Sequence, residues 1–263
     1  MRWVASSAVA DEQPLRVLVI ADSLSFHGPK RPELLTNPGL YPNVLARELS
    51  ARLGRTVEVD TVTKFGMTAR DAWWAMTKDP RVYSILLPQA SAVVLGVGNM
   101  DQLPAAIPTY LRSGIDYVRP DWLRHRVAAA FHKSHPRIVR MHGARLRVLP
   151  QKATDHYLEL CVNGVRHYHP ETIVVTNVPP RHASDYYAQK THGHAPAQEA
   201  MRALAARLDV PTVELEPIVG PRRDAGMNNP DGMHWGWETH EQVGIAYAEL
   251  IAPPLKERAA QQS

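Results

Sequence analysis

Leu15-Arg16-Val17-Leu18-Val19-Ile20-Ala21-Asp22-Ser23-Leu24-Ser25 decides how the rest of the chain is read. An apolar, β-branched run stops abruptly at Asp-Ser-Leu-Ser. Such a run reads as a strand buried on both faces, as in a parallel sheet covered by helices. In sheets of that kind ligands bind beyond the carboxyl ends of the strands. Ser23 therefore stands where a hydroxyl can meet a substrate. A serine just past a strand also serves as a turn residue or helix cap, so its meaning depends on what the chain brings to it.

Working outward, residues 26–32 form a loop dense in turn formers. Residues 41–53 carry Val44, Leu45, Leu49 and Leu53 near helical spacing, with Gly54 as a stop. Residues 57–62 alternate as a strand, and Lys64-Phe65-Gly66-Met67-Thr68 turns the next corner. Thr68 is the expected N-cap of a helix over 69–78, with Asp71 as its capping-box acid. Residues 92–95 form a third buried strand, ending in Gly96-Val97-Gly98-Asn99-Met100-Asp101. The alternation then breaks until about residue 170. It resumes with a strand over 172–178, a helix over 195–208, a short strand over 210–215, a loop over 224–237 and a closing helix over 238–250.

Five strands separated by helices predict an α/β chain with a five-stranded parallel sheet between helical layers. The expected organisation is a tail over 1–13, one catalytic domain over 14–255 and a tail over 256–263. The excess length at 104–170 reads as a mainly helical insert or lid, since a stretch that long without sheet structure usually has a function. It is basic. Between residues 112 and 147, Arg112, Arg119, Arg124, Arg126, Lys133, Arg137, Arg140, Arg145 and Arg147 face only Asp116 and Asp121.

The 263 residues are enough for a full core, and the formal net charge is +4. Cys161 is the only cysteine, so no internal disulfide forms. A reducing, cytoplasmic setting is expected, with Cys161 in the core. No apolar run reaches the ~20 residues of a membrane span.

A second anchor is Asn229-Pro230-Asp231-Gly232-Met233-His234-Trp235. A carboxylate three residues before a histidine can hold its Nδ1–H and leave Nε2 to take a proton from a serine. That is the logic of nucleophile, base and orienter: Ser23, His234 and Asp231. Acyl transfer also needs donors aimed at a developing oxyanion. The Ser23 N–H, the Gly66 N–H and the Asn99 side-chain amide can supply them, each at the end of one of the first three strands.

Ala21-Asp22-Ser23-Leu24-Ser25, Gly66, Gly98-Asn99 and Asp231-x-x-His234 resemble the four blocks of the SGNH, or GDSL-type, hydrolase superfamily. The resemblance runs from about residue 15 to 250. It implies a flavodoxin-like three-layer α/β/α fold, Ser23 as nucleophile, His234 as base, Asp231 as orienter, and Gly66 and Asn99 in the oxyanion hole. Ala21 and Val97 stand where that superfamily usually has glycine.

The basic insert and the Asp-Gly-Met-His-Trp loop resemble more narrowly an acyltransferase group of the same type. This implies transfer of a medium-chain acyl group, octanoyl, from acyl-CoA to a sugar hydroxyl. The acceptor would be a glucosylglycerate-type precursor of methylglucose lipopolysaccharide. Arginines such as Arg124 and Arg126 suit a glycerate carboxylate or CoA phosphates. Trp73, Trp74, Trp235 and Trp237 suit sugar stacking or an acyl tunnel, or else core packing.

Three other readings compete. An esterase, lipase or carbohydrate deacetylase would use the same residues on water. A non-enzymatic module could bind an anionic glycan or nucleic acid through the arginines, although no nucleic-acid motif is present. The histidines between 132 and 194 match no zinc spacing, so no metal and no cofactor beyond the acyl-CoA co-substrate are expected.

Overall fold

The computed structural model describes residues 13–143 and 145–262. The expected N-terminal tail, apart from Gln13, lies outside the described residues. Five strands form one parallel sheet: β1 (Leu15–Ala21), β2 (Val57–Thr63), β3 (Ala90–Gly96), β4 (Ile173–Val178) and β5 (Thr212–Glu214). Their order is β2-β1-β3-β4-β5. The chain leaves β1 toward β2 and returns on its other side as β3, so the connections diverge above β1 and β3. That divergence opens a crevice at the carboxyl edge, where Asp22-Ser23 and Asn99 emerge.

The run in β1 lacks polar alternation because both of its faces are covered. Leu18 and Ile20 join a core with α2 (Ala69–Lys78), α6 (Gln151–Tyr168) and α7 (His194–Leu208). Val17, Val19 and Ala21 face the opposite core with α1 (Tyr41–Leu53), α8 (Glu216–Asp224) and α9 (Trp237–Gln262). Each fully buried aliphatic side chain contributes about 1.5–3 kcal/mol. The capping box at Thr68 and Asp71 forms as the sequence predicts. Cys161 is fully buried against the first core, and burial pushes its thiol pKa well up.

Two expected boundaries move. The stretch 104–170 is not one insert. Its last part, α6, buries Leu158, Cys161, Val162 and Val165 and lies against α2, completing the β3-to-β4 crossover. The true excursion closes on itself near residue 150. Ala105 N–H donates to Leu146 O at 2.9 Å, Val148 N–H to Leu103 O at 2.9 Å and Leu149 N–H to Asp101 O at 3.0 Å. Inside that closure lie α4 (Thr109–Gly114) and α5 (Asp121–Met141). The second change is at the C-terminus. Residues 256–262, expected as tail, continue α9, because Leu255 is buried and carries the helix past Pro253 and Pro254. A turn at Val82–Leu86 that runs into α3 (Leu87–Gln89), and α8, were not anticipated.

Candidate active site

Asp22 ends β1 in extended conformation, and its Oδ1 accepts the Leu24 N–H at 3.0 Å. This starts a single 3-10 turn over Ser23–Ser25. Ser25 Oγ donates to Asp22 O at 2.8 Å and meets Thr63 Oγ1 of β2 at 2.9 Å. Each polar residue of Asp-Ser-Leu-Ser except Ser23 is thus spent on local geometry, and Ser23 Oγ is left for a distant partner.

That partner arrives from the loop before α9. His234 Nε2 lies 2.9 Å from Ser23 Oγ. His234 Nδ1 lies 2.5 Å from Asp231 Oδ2. With a carboxylate on the Nδ1 side, Nδ1–H donates and Nε2 accepts the serine proton. Asp231 Oδ1 accepts the N–H groups of Met233 at 2.8 Å and His234 at 3.0 Å. One aspartate therefore fixes both the turn and the ring. Burial alone would raise its pKa, but the bonds from the His234 ring and from the two backbone N–H groups outweigh burial and hold it at about 2. Gly232 lets the loop lie flat on the chain beneath. Its φ is +71°, and a Cβ there would sit 2.4 Å from the Ala183 carbonyl carbon.

The sequence reading passed over His27. Its ring stacks on that of His234, with centroids 3.7 Å apart and planes 15° from parallel. Burial first, then the nearby His234 charge, lower its pKa, against a bond to Gly28 O. A neutral ring therefore buttresses the proposed base. The only hint was a histidine four residues after the serine. His27, Asp231 and His234 bring ligand-type atoms within 4.8 Å of one another. Stacking opposes chelation, because an imidazole lone pair lies in its ring plane. One ion about 2.0–2.1 Å from each nitrogen cannot occupy two near-parallel planes.

The expected oxyanion donors differ in availability. Gly66 has φ +66°, in the turn that leads to α2. Among the described residues no acceptor bonds its N–H. Asn99 is more committed. Its Nδ2 donates to Asp22 Oδ2 at 3.3 Å and Gly96 O at 3.4 Å, and its Oδ1 accepts Asn177 Nδ2 at 2.9 Å. To serve an oxyanion, the Asn99 amide must exchange one of these long bonds. Asp22 is fully buried, and burial pushes its pKa up to about 6 against bonds from Leu24 and Asn99. Asp101, also overlooked, accepts the Ala69 N–H at 3.1 Å and Thr154 Oγ1 at 3.0 Å. It thereby ties the corner after Gly66 to α6.

The expected substrate contacts are spread over several parts of the molecule. Trp73 packs beside Gly164 and lines a cleft with Leu87, Tyr168 and His169, at the amino edge of the sheet. Trp74 lies beneath Arg70 and Lys78 on the surface of α2. Trp235 is 2% exposed and packs on Tyr41 and His240 in the core. Trp237 covers Gly28 and Gly39 with its ring. Arg124 pairs with Asp121 at 3.4 Å, and Arg126 is exposed on α5. Adjacency in sequence to His234 suggested both Trp235 and Trp237; Trp235 turns into the core, whereas Trp237 stays partly exposed against Gly28, next to His27. A cavity of about 590 Å³ is also remote, since the first residues of β1 and β3 line it.

No protein-family model matches the chain. The diglucosylglycerate octanoyltransferase of Mycolicibacterium hassiacum is 36% identical over 241 residues, 92% of this chain and 95% of the relative. That of Mycobacterium tuberculosis is 35% identical, over 92% of each. Among solved structures, a lipase/acylhydrolase from Enterococcus faecalis superposes with a TM-score of 0.61 at 15% identity, covering 90% of this chain and 95% of its own. A carbohydrate acetylesterase family member from Sinorhizobium meliloti gives 0.57 at 15% identity, covering 92% and 99%. The three-layer fold is the one expected from the SGNH-type blocks.

Proposed function

Since the chain belongs to the diglucosylglycerate octanoyltransferase family, we propose that it transfers an octanoyl group from acyl-CoA to a sugar hydroxyl of a glucosylglycerate-type acceptor. The observation that carries this reading is the chain of contacts from Asp231 through His234 to Ser23, 2.5 and 2.9 Å long. Ser23 Oγ attacks the thioester carbonyl while its proton passes to His234 Nε2. The N–H groups of Ser23 and Gly66, with the Asn99 amide, hold the oxyanion. The C–S bond breaks, and His234 returns the proton to the departing CoA thiol. The acceptor hydroxyl then gives its proton to His234 and attacks the acyl-enzyme. The ester forms, and Ser23 regains its proton. No metal or cofactor enters this scheme, and acyl-CoA is a co-substrate. The acyl-CoA donor and the single buried cysteine fit a reducing cytoplasm, and the product fits methylglucose lipopolysaccharide synthesis.

A hydrolytic reading uses the same groups with water as acceptor. It is favoured by the openness of the rim, where the Asp231 side chain is 41% exposed. An acyl-CoA panel, with and without glycosylglycerates, distinguishes the two by mass spectrometry. Acyl-sugar product supports transfer. Free fatty acid alone, at every acceptor concentration, overturns it. Asn99→Ala should lower turnover roughly 10²–10³-fold if its amide serves the oxyanion.

A further inference from the structure

We propose that Arg112 forms an anion subsite at the rim of the Ser23 crevice and takes the carboxylate of the acceptor; the assignment rests on the acyl-transfer reading above. Arg112 lies on α4, yet its Nη2 is 3.8 Å from where a Cβ on Gly66 would stand. Gly66 belongs to the corner whose N–H faces the reacting carbonyl in the scheme above. Arg112 is half-buried, and among the described residues its guanidinium has no hydrogen bond or ion pair. Asp116, four residues on, does not pair with it, whereas Arg124 on the neighbouring helix is matched by Asp121. The groups near it include His135, Tyr186 and Tyr187, none of them anionic at neutral pH.

A cation partly withdrawn from water without a partner is an unfavourable arrangement that an arriving anion relieves. The ligand class follows from the geometry of the donor. One planar guanidinium matches one carboxylate through two parallel bonds. A pyrophosphate is better served by several cations. A separate cleft of about 550 Å³ offers that, with Arg70, Arg145 and Arg147 among its lining residues. Arg112 is thus left for a single carboxylate close to the reacting atoms. A glycerate joined to the sugar supplies one.

The test compares Arg112→Gln and Arg112→Lys with the wild-type full chain. The acceptors are glucosylglycerate and its carboxamide, with octanoyl-CoA as donor. Wild type should prefer the acid. In Arg112→Gln the acid-to-amide ratio of kcat/KM should fall about tenfold or more, mainly through the acceptor KM. Arg112→Lys should recover part of it. An unchanged ratio overturns the assignment. So does a selective rise in KM for octanoyl-CoA over octanoyl-pantetheine, which lacks the nucleotide phosphates, because the anion would then be the donor's. Failure of wild type to acylate any glycosylglycerate counts against the function instead. The subsite is then read from hydrolysis of octanoyl glycerate against its methyl ester. The same loss of preference in Arg112→Gln supports it, and equal preference overturns it.

Discussion

In the loop over residues 228–236 the polar side chains are committed to the chain itself, whereas α4 and α5 leave most of theirs in solvent. Asn228 Oδ1 accepts Gly236 N–H and Thr239 Oγ1. Asn229 bonds Asp231 N–H and Gly28 O, and Asp231 bonds two N–H groups and the His234 ring. By contrast, α4 buries no residue, and α5 buries only His135 and Val139 in 21 residues. His135 stacks on Tyr186, 4.2 Å between centroids, and Val139 packs with Ala106, so one face of α5 holds it. The difference separates two tasks. Moving a proton between fixed atoms demands a rigid, over-determined loop. Admitting a bulky substrate suits helices held by few contacts.

On that division, damage to the first region should fall on catalysis and damage to the second on stability hardly at all. The largest effect belongs to Ser23→Ala. It should reduce acyl transfer by about 10⁴-fold or more and abolish fluorophosphonate labelling, with the thermal midpoint nearly unchanged. Turnover near wild type would remove the covalent scheme.

Asp231→Asn comes next, at roughly 10³–10⁴-fold in kcat, because the amide no longer selects the working tautomer. It should also alter acid stability. A carboxylate whose folded pKa is depressed to about 2 contributes stability that is present above its ordinary value near 3.8 and lost as pH falls toward 2. Melting scans between pH 2 and 5 should show that part of the acid lability missing from the variant.

Gly232→Ala tests the backbone alone. Its positive φ and the Ala183 backbone leave no room for a methyl, so the loop must shift. A displacement of about 1 Å costs on the order of 10² in rate. Retained activity would mean that the loop is less constrained than its bonds indicate. The smallest effect is expected in the second region. Arg137→Ala, exposed on α5, should change unfolding free energy by no more than about 0.5 kcal/mol in denaturant titration. A larger loss would erase the contrast.

Much of this was legible from local pattern. The apolar run of β1, the Thr68 capping box and the Asp-x-x-His turn depend on neighbours within a few residues, which is the range at which hydrogen bonds and side-chain spacing act. The end of the insert was not. The packing of α6 could not be read from spacing alone: Leu158, Cys161, Val162 and Val165 have helical periodicity whether they face a sheet or a lid. Trp235 was illegible for the same reason: it adjoins His234 in sequence but points into the core.

The sequence by itself determined the strands, the caps and the stereochemistry of the Asp231 turn, because each arises from contiguous residues. Tertiary structure alone decided that an imidazole 211 positions away would meet the Ser23 hydroxyl. It also decided that His27 would lie against that imidazole, that the Asn99 amide would turn to Asp22, and that Arg112 would reach Gly66. These contacts depend on strand order and on which loops share the carboxyl edge of the sheet, and no short stretch of chain contains that information.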